Sequence, residues 1–288
     1  MTFDPARLPR PPRLVPLGLR MQVLLGGPLG LLGWLFAAFG SIFPWVFVPM
    51  ADWSIVRFRG PAGDAQGEVV SVEKTGAKEN SQRVWKVGYR FTDPAGVERT
   101  GASFALGQEP AAGTPVKVEF LLADPGVSRI EGLRMAPFSP WASLVVLFPA
   151  LGLLLVLGGL RHGLTSVGLL AEGELALGTL RGKEPTNTRI NKRTVYALTF
   201  AFTDQDGREH TVVERTHMPE RLQDEAQELL VYDPSSPSRA VLVDNLPGRP
   251  ELDLDEGVFV GGSYGVATLL LPAAFVLVNT VGLLFVCA

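Results

Sequence analysis

The chain has 288 residues, of which 47% are hydrophobic and only 19% are charged, and its formal net charge is −3. Soluble domains of similar apolar content carry about 25% charged residues, so the composition argues against an ordinary soluble protein. The single cysteine, Cys287, excludes a disulfide within the chain and a cysteine-rich metal site.

Charged residues are absent from three long stretches, residues 21–51, 135–160 and 257–288. A helix needs about 20 apolar residues to cross a bilayer, and each stretch exceeds that length. The sequence therefore predicts an integral membrane α + β protein in which three transmembrane helices alternate with two small antiparallel β units. In chain order, the predicted segments are a basic N-terminal tail at 1–20, transmembrane helix 1 at 21–51, β unit 1 at 52–134, transmembrane helix 2 at 138–160, β unit 2 at 161–256 and transmembrane helix 3 at 258–288.

Prolines punctuate the first two spans. Pro28 and Pro44 are expected near the ends of one tilted helix, and Pro149 is expected to kink the second span. A cleaved signal peptide is the alternative for the first span, because arginines precede it and "AFG" at residues 38–40 resembles a cleavage site. The apolar run continues past that point, however, and signal cores usually have only about 7 to 15 residues.

The distribution of charge predicts the orientation. The N-terminal tail has four Arg and one Asp, whereas residues 161–256 have eleven positive and seventeen negative side chains. Positive residues near a span favour the cytoplasmic side, so we expect a multi-pass protein of the cytoplasmic membrane with a cytoplasmic N-terminus. Three crossings would then place β unit 1 outside and β unit 2 inside.

A nine-residue phrase occurs twice, as "RFTDPAGVE" at residues 90–98 and "AFTDQDGRE" at residues 201–209, 111 residues apart. Apolar and polar residues alternate before each copy, as in half-buried strands. Residues 93–96 and 204–207 both begin with Asp and end with Gly, which is typical of a tight turn. Each copy therefore predicts a β-hairpin.

The similarity between the two copies extends to their flanks. The segment "AQGEVVSV" at residues 65–72 corresponds to "AEGELALG" at residues 171–178, and residues 116–130 correspond to residues 227–242. The polar segments at residues 75–83 and 181–193 are predicted to connect strands. The sequence thus predicts an internal repeat of two homologous β units.

These residues resemble a bacterial membrane-protein family catalogued as domain of unknown function 3592, here in two tandem copies. The motifs are an aromatic residue after a span (Trp53), a "G-x-V" strand, a "Y-x-F" strand pair and a closing strand that ends at a proline. The matching residues of the first copy are Gly67, Val69, Tyr89, Phe91, Gly96, Gly113, Val116, Val118, Phe120 and Pro125. Those of the second are Gly173, Phe200, Phe202, Gly207, Tyr232, Asp233, Pro234 and Pro237.

The chain departs from the family pattern in both copies. Leu121 and Leu122 replace an Asp-Pro pair in the first, and "MPERLQDEAQELL" at residues 218–230 replaces a glycine in the second. This second segment predicts a short helix that begins at Pro219 and has Leu222, Ala226 and Leu229 on one face. The resemblance implies a fold and no activity.

Candidate sites in the sequence are weak. Residues 261–265 fit G-x-S-x-G, but no Asp, Glu or His follows Ser263, so close helix packing is the better interpretation. Alternate acids in "ELDLDEG" at residues 251–257 suggest a metal site, although a solvated strand fits better because the pattern of a calcium loop is incomplete.

The three histidines, His162, His210 and His217, have no ligand spacing that indicates zinc. Basic residues within 181–193 could meet anionic lipid, but an exposed hairpin is the simpler interpretation, and no interleaved aromatic residues suggest nucleic acid. Asn279 is expected to bond to another helix beside Gly282. We predict no catalytic residue, cofactor site or metal site.

Regular fold signals without a convergent set of reactive groups favour a binding or structural role in the cell envelope. The expected partners are the lipid bilayer and either another protein or a second copy held through the glycine-rich spans. A membrane-associated enzyme that uses the acidic segment or the histidines is an alternative. A small pore or transporter subunit is another, although no charged residue lies deep in a span.

Overall fold

The computed structural model describes residues 10–107, 109–223, 225–253, 256–261 and 267–287. The chain divides into two compact units. One unit contains the N-terminal part up to Phe39 together with Pro149–Val278, and the other contains Gly40–Phe148 and the residues from Asn279 onward. We name them the sheet 2 unit and the sheet 1 unit, after the five-stranded sheet in each.

Helical segments occupy the apolar parts of the chain. The α-helices are α1 (Leu17–Leu25), α2 (Pro28–Gly40), α3 (Ile42–Phe47), α4 (Ser54–Arg57), α5 (Leu147–Glu172) and α6 (Leu270–Cys287). Three segments are long and apolar enough to cross a membrane, namely Pro28–Phe47, Pro140–Glu172 and Ala267–Cys287. Only 33%, 17% and 6% of their apolar windows are buried in the protein, so most of this apolar surface is exposed.

The first apolar stretch is not one helix, in contrast to our expectation. It is divided after Leu25 and again at Ser41. The first break comes before Pro28, which begins α2 because the first position of a helix needs no backbone N–H donor. The second break lies three residues before Pro44, whose ring would clash with the carbonyl of Gly40 in a continuous helix.

Proline also sets the start of α5. Pro149 lies in the first turn of this helix, directly after a 3-10 segment at Pro140–Val146, so it stands where the helix type changes rather than at the expected kink within one α-helix. Because Pro149 has no N–H, it cannot donate to the carbonyl of Val145, which is consistent with a regular α-helix that starts only at Leu147. At its other end α5 continues to Glu172, twelve residues beyond the predicted limit at Leu160.

Glycines bring α2 and α5 together in the sheet 2 unit. A Cβ on Gly152 would lie 2.4 Å from the backbone N of Ala37, and a Cβ on Gly33 would lie 2.6 Å from the N of Val156. Toward the other end, a Cβ on Gly159 would lie 2.8 Å from the Cα of Gly30. Residue numbers rise on one helix as they fall on the other, so the pair is antiparallel. Close backbone approach through small residues is typical of helices in membranes.

The second half of α6 packs in the sheet 1 unit. Trp45 on α3 donates from Nε1 to Oδ1 of Asn279 at 3.1 Å. The ring of Trp45 fills the space beside Gly282, where a Cβ would lie 2.3 Å from it. The expected hydrogen bond between Asn279 and another helix is confirmed.

Sheet 1 contains five antiparallel strands in the order β3-β2-β1-β4-β5. They are β1 (Ala62–Glu79), β2 (Gln82–Thr92), β3 (Glu98–Leu106), β4 (Pro115–Leu121) and β5 (Ser128–Ile130). One face buries a single cluster that includes Tyr89, Phe91 and Phe120. The alternation read from the sequence correctly identified this face.

Sheet 2 has the matching order β8-β7-β6-β9-β10. Its strands are β6 (Glu174–Ile190), β7 (Arg193–Thr203), β8 (Glu209–Thr216), β9 (Glu228–Asp233) and β10 (Ser236–Leu242). One cluster contains Phe200, Phe202 and Tyr232, and a second joins Leu170 and Val231 to the N-terminal residues Val15, Leu19 and Val23. A hairpin of β11 (Glu251–Asp253) and β12 (Val258–Val260) adds Phe259 to the second cluster.

The first three strands of the two sheets correspond position by position at a spacing of 111 residues. Both long hairpins turn on two residues with positive φ, Asn80-Ser81 and Asn191-Lys192. The irregularity of register between Val69 and Ser71 recurs between Leu180 and Gly182. The hairpins predicted from the repeated phrase are confirmed, with Gly96 and Gly207 both at φ +80°.

This register corrects the predicted alignment of the first strands. Gly67 corresponds to Gly178, and Gly173 precedes β6. The equivalence of β1 and β6 is defined by their pairing with the next strand, which the sequence alone does not show. The small residues that suggested the other alignment lie at the end of α5 and directly before β6. The segments at 75–83 and 181–193 are mostly arms of these hairpins and only two-residue turns connect the strands.

The predicted short helix after β8 is only a 3-10 turn at Pro219–Leu222. Leu222 is buried and Ala226 is exposed, whereas Leu229 belongs to β9, where it lies opposite Leu177 of β6. Residues 228–230 were predicted to complete the helix, but they pair with β6 in the sheet instead.

Candidate functional site

The extended end of α5 is held by the N-terminal segment. The backbone N–H of Arg13 donates to the carbonyl of Ala171 at 2.7 Å, and both terminal nitrogens of its side chain donate to the carbonyl of Gly173. Arg13 is only 5% exposed, and its guanidinium lies over the ring of Phe259. Burial lowers the pKa of Arg13, while the charge of Glu174 opposes this shift. Arg13, Val15 and Leu19 of the predicted basic tail are thus part of the core.

A cleft lies in the sheet 2 unit where α5 passes beyond its uncharged stretch. Its volume is about 980 Å³. The lining comes from the corner between α1 and α2 at residues 26–29, from His162, Ser166 and Leu169 on α5, from residues 213–218 in and after β8, and from residues 239–241 and 244–249 in and after β10. Four separate parts of the sequence thus meet around one space.

Glu214 occupies the β8 side of the cleft. Its carboxylate accepts hydrogen bonds from the backbone N–H of Leu242 at 3.2 Å and from Nδ2 of Asn245 at 2.7 Å. Burial raises the pKa of Glu214, and these two bonds together with the charge of His162 act against the rise. Glu214 therefore fixes the position of β10 and the following turn, and its negative charge is partly compensated there.

Cationic side chains form the outer part of the cleft. The four arginines are Arg215, Arg221, Arg239 and Arg249. Arg239 lies 3.6 Å from Asp233, and Arg221 contacts the sulfur of Met218 at 3.9 Å. Arg215 and Arg249 have no acidic partner within 4.0 Å in the described part of the chain, and both are exposed.

Apolar side chains form the remaining wall. Val23 and Leu29 contribute from the helical corner, Leu169 from α5, and Val213 and Leu246 from the sheet side. An arrangement with one apolar wall and one cationic rim can hold a ligand that has both an apolar part and an anionic part.

The histidines do not converge on one site. His162 and His217 line the cleft, whereas Nε2 of His210 lies 2.7 Å from Oδ2 of Asp204 in the β7–β8 turn. No group of three or more His, Cys, Asp or Glu side chains suited to a metal ion occurs among the residues that the structure describes.

The structure describes only part of the two other candidate segments, residues 261–265 and 251–257. Gly261 lies against Leu19, and a Cβ there would lie 3.1 Å from that side chain, but Ser263 and Gly265 lie outside the described residues. Glu251 and Asp253 belong to β11, where Oδ1 of Asp253 accepts the N–H of Glu256 at 3.1 Å. Asp255 also lies outside the described residues.

Sequence reasoning missed the cleft itself. Its charged residues are spread over 88 positions, from His162 to Arg249, and no short motif connects them. One local signal exists in β8, where Glu214 falls on the same side as the buried Val212 two residues earlier. A carboxylate at an inward strand position commonly marks a polar site, and it could have indicated this one.

Comparisons with known proteins give no family for the chain. No protein-family model matches it, and no curated protein matches it. Among solved structures, a chain described as part of a Replication Protein A heterotrimer bound to ssDNA aligns at 10% identity, over 59% of this chain and 43% of that one. The TM-score of 0.17 is too low to indicate a shared fold, so this likeness carries no argument.

Proposed function

We propose that the chain is an integral protein of the bacterial cytoplasmic membrane that presents two homologous β modules and has a binding role in the cell envelope. The cleft at the end of α5 carries this proposal, because it joins an apolar wall to a cationic rim next to a span. The matching strand orders support the origin of the modules by duplication.

The proposed topology has the N-terminus and sheet 2 in the cytoplasm and sheet 1 outside. Because α2 and α5 are antiparallel, the segment before α2 and the sheet after α5 lie at the same end of this helix pair. This packing supports the proposal that the N-terminal segment and sheet 2 are on the same side of the membrane. The arginine-rich N-terminal segment supports a cytoplasmic location of that end.

Several glycines of the spans are used within one chain. Gly33, Gly152 and Gly159 hold α2 against α5, so these positions are not available for contacts with a second copy. This reduces the motivation for an oligomeric pore, which would need glycines at the contacts between copies. The binding role is therefore preferred.

Cysteine labelling tests this topology. Ala95→Cys and Asp206→Cys would be made separately in a Cys287→Ser background, because both residues are exposed and occupy equivalent turn positions. With an impermeant maleimide on intact cells, we expect Ala95→Cys to react and Asp206→Cys to react only after the membrane is opened. Equal labelling of both in intact cells, or extraction of the protein by alkaline carbonate, would contradict the proposal.

A further inference from the structure

We propose that the cleft of the sheet 2 unit binds an anionic membrane amphiphile, with a phosphate- or carboxylate-bearing headgroup at the arginines and an apolar chain along the helical wall. This inference rests on the proposed membrane location and adds the chemical class of the ligand. Its argument uses the position of the cleft, its charge and its apolar surface.

The cleft lies across the boundary between apolar and charged sequence. Leu29 is the second residue of α2, and Gly159 belongs to the uncharged stretch that ends at Leu160. His162 follows directly after Arg161, the first charged residue of α5 beyond that stretch. In a membrane-spanning helix this transition falls at the level of the lipid headgroups. The cleft is thus placed where the headgroup and the upper part of an acyl chain are both present.

The charge of the cleft is opposite to the charge of the surrounding segment. Residues 161–256 contain seventeen acids and eleven bases, yet the cleft is lined by four arginines and only two acids, Glu214 and Asp244. Glu214 is already engaged by Leu242 and Asn245. An excess of cations in an otherwise acidic segment is most simply explained by an anionic occupant.

The type of cation favours an oxyanion. The planar guanidinium of arginine binds phosphate or carboxylate through two parallel hydrogen bonds, which a lysine cannot reproduce. Arg215 and Arg249 approach the cleft from different segments, β8 and the turn after β10. A headgroup at either arginine would compensate a charge that has no acidic partner within 4.0 Å in the part of the chain that is described.

The apolar wall distinguishes an amphiphile from a small polar anion. Leu29 and Val213, which are 44% and 55% exposed, would stay in contact with water if only a phosphate ester were bound. An acyl chain covers this surface, at a gain of about 25 cal/mol for each Å² of apolar area removed from water. The volume of about 980 Å³ is sufficient for a headgroup and part of a chain.

Binding is tested with the full-length protein in a mild detergent. The probe is a short-chain fluorescent phosphatidylglycerol, and its anisotropy gives a dissociation constant. Unlabelled short-chain phosphatidylglycerol, phosphatidylcholine of the same chain length and sn-glycerol 3-phosphate serve as competitors. We expect phosphatidylglycerol to compete at least about tenfold better than either of the others, because only it supplies both an anion and chains.

The cleft variant is Arg215→Gln with Arg249→Gln, and its matched control is Arg189→Gln with Arg208→Gln. The control removes the same charge from exposed positions of sheet 2 outside the cleft. We expect the cleft variant to lose about tenfold or more in affinity, and the control to change by less than about twofold. Equal losses in both variants would overturn the site.

The competition experiment with wild-type protein tests the chemical class of the ligand even if the cleft variant does not fold. Equal competition by phosphatidylcholine would overturn the anionic headgroup, and equal competition by glycerol phosphate would overturn the amphiphile. Either result leaves the labelling experiment unaffected. Failure of the labelling experiment with intact phosphatidylglycerol preference would instead reject only the proposed topology.

Discussion

Sheet 1 and sheet 2 share a strand order and a turn pattern, but the same positions serve different purposes in them. At the tip of the long hairpin, sheet 1 has Glu79, whose carboxylate bonds to Arg134 and to the N–H of Ser139. The equivalent residue of sheet 2 is Ile190, which lines the cleft. An ion pair connects the first tip to the segment before α5, whereas the second tip borders the cleft.

A second pair of positions shows the same contrast. Ser103 on β3 is fully buried and accepts the N–H of Ile130 through Oγ. Glu214 is its equivalent on β8, and it accepts the N–H of Leu242 while also reaching Asn245 beside the cleft. The structural bond to the last strand is kept in both sheets. The longer side chain in sheet 2 adds a carboxylate to the lining of the cleft.

Exchange of Ser103 and Glu214 should give the largest change in the free energy of unfolding. Ser103→Glu places a carboxylate where no water can reach, and we expect the free energy of unfolding to fall by more than about 3 kcal/mol. Glu214→Ser should cost only about 1 kcal/mol, because the hydroxyl can still accept the N–H of Leu242. Thermal unfolding in detergent measures both. Equal costs would mean that the two positions are not equivalent in packing.

A larger side chain at Gly152 should weaken the helix pair that supports sheet 2. In Gly152→Leu the new Cβ would meet the backbone of Ala37, so α2 and α5 must move apart at a cost of about 3 kcal/mol. Gly168→Leu on the same helix is the control, since no heavy atom lies within 4 Å of a Cβ there. We expect a lower melting temperature for the first variant alone. Similar melting temperatures would argue against close packing of the two helices.

Loss of Arg13 should affect sheet 2 while sheet 1 is unchanged. Arg13→Gln removes the donors to Gly173, and we expect a loss of about 2 kcal/mol in unfolding free energy. Arg10→Gln, at an exposed position, is the control. Hydrogen exchange should show faster exchange in β6 and no change in β1. Equal changes in both sheets would show that the N-terminal segment does not act locally.

Ionisation of Glu214 should make stability depend on pH, and this is the smallest of the expected effects. Because the pKa of Glu214 is raised in the folded state, the unfolded chain releases this proton first as pH rises. The wild-type protein should therefore lose stability relative to Glu214→Gln as pH increases from the ordinary carboxyl range up to the folded pKa, and the difference should then level off. Melting temperatures of both proteins from about pH 4 to about pH 8 test this. A difference that moves in the opposite direction would mean that the hydrogen bonds to Glu214 outweigh its burial.

The local parts of the fold were readable from the sequence. Asp93 and Asp204 each accept two backbone N–H groups of their own turn, and Gly96 and Gly207 adopt the positive φ that the turn requires. These features depend on residues within five positions, so short patterns identify them. The three long apolar helical segments were equally clear, because each is a continuous run without charge that is long enough to cross a membrane.

The limits of the helices and the alignment of the first strands were less predictable. Pro28 and Pro44 were expected near the ends of one helix, but whether a proline begins, ends or kinks a helix depends on the neighbouring carbonyls. The correspondence of Gly67 with Gly178 depends on ladder register, and the small residues near Gly173 gave a false match. Arg13 appeared to be one of several tail charges, and only its contact with Gly173 shows that it belongs to the core.

The sequence by itself determined that this is a chain of apolar spans and two hairpin-rich β modules, because charge gaps, alternation and turn residues act over short distances. Only the tertiary structure decided what lies beside sheet 2. The cleft joins Leu29, His162, Arg215 and Arg249 from four separate segments, and their proximity follows from the packing of α2 on α5 and of the N-terminal segment on the sheet. Such contacts have no local signature, since any of these residues alone would be an ordinary surface side chain.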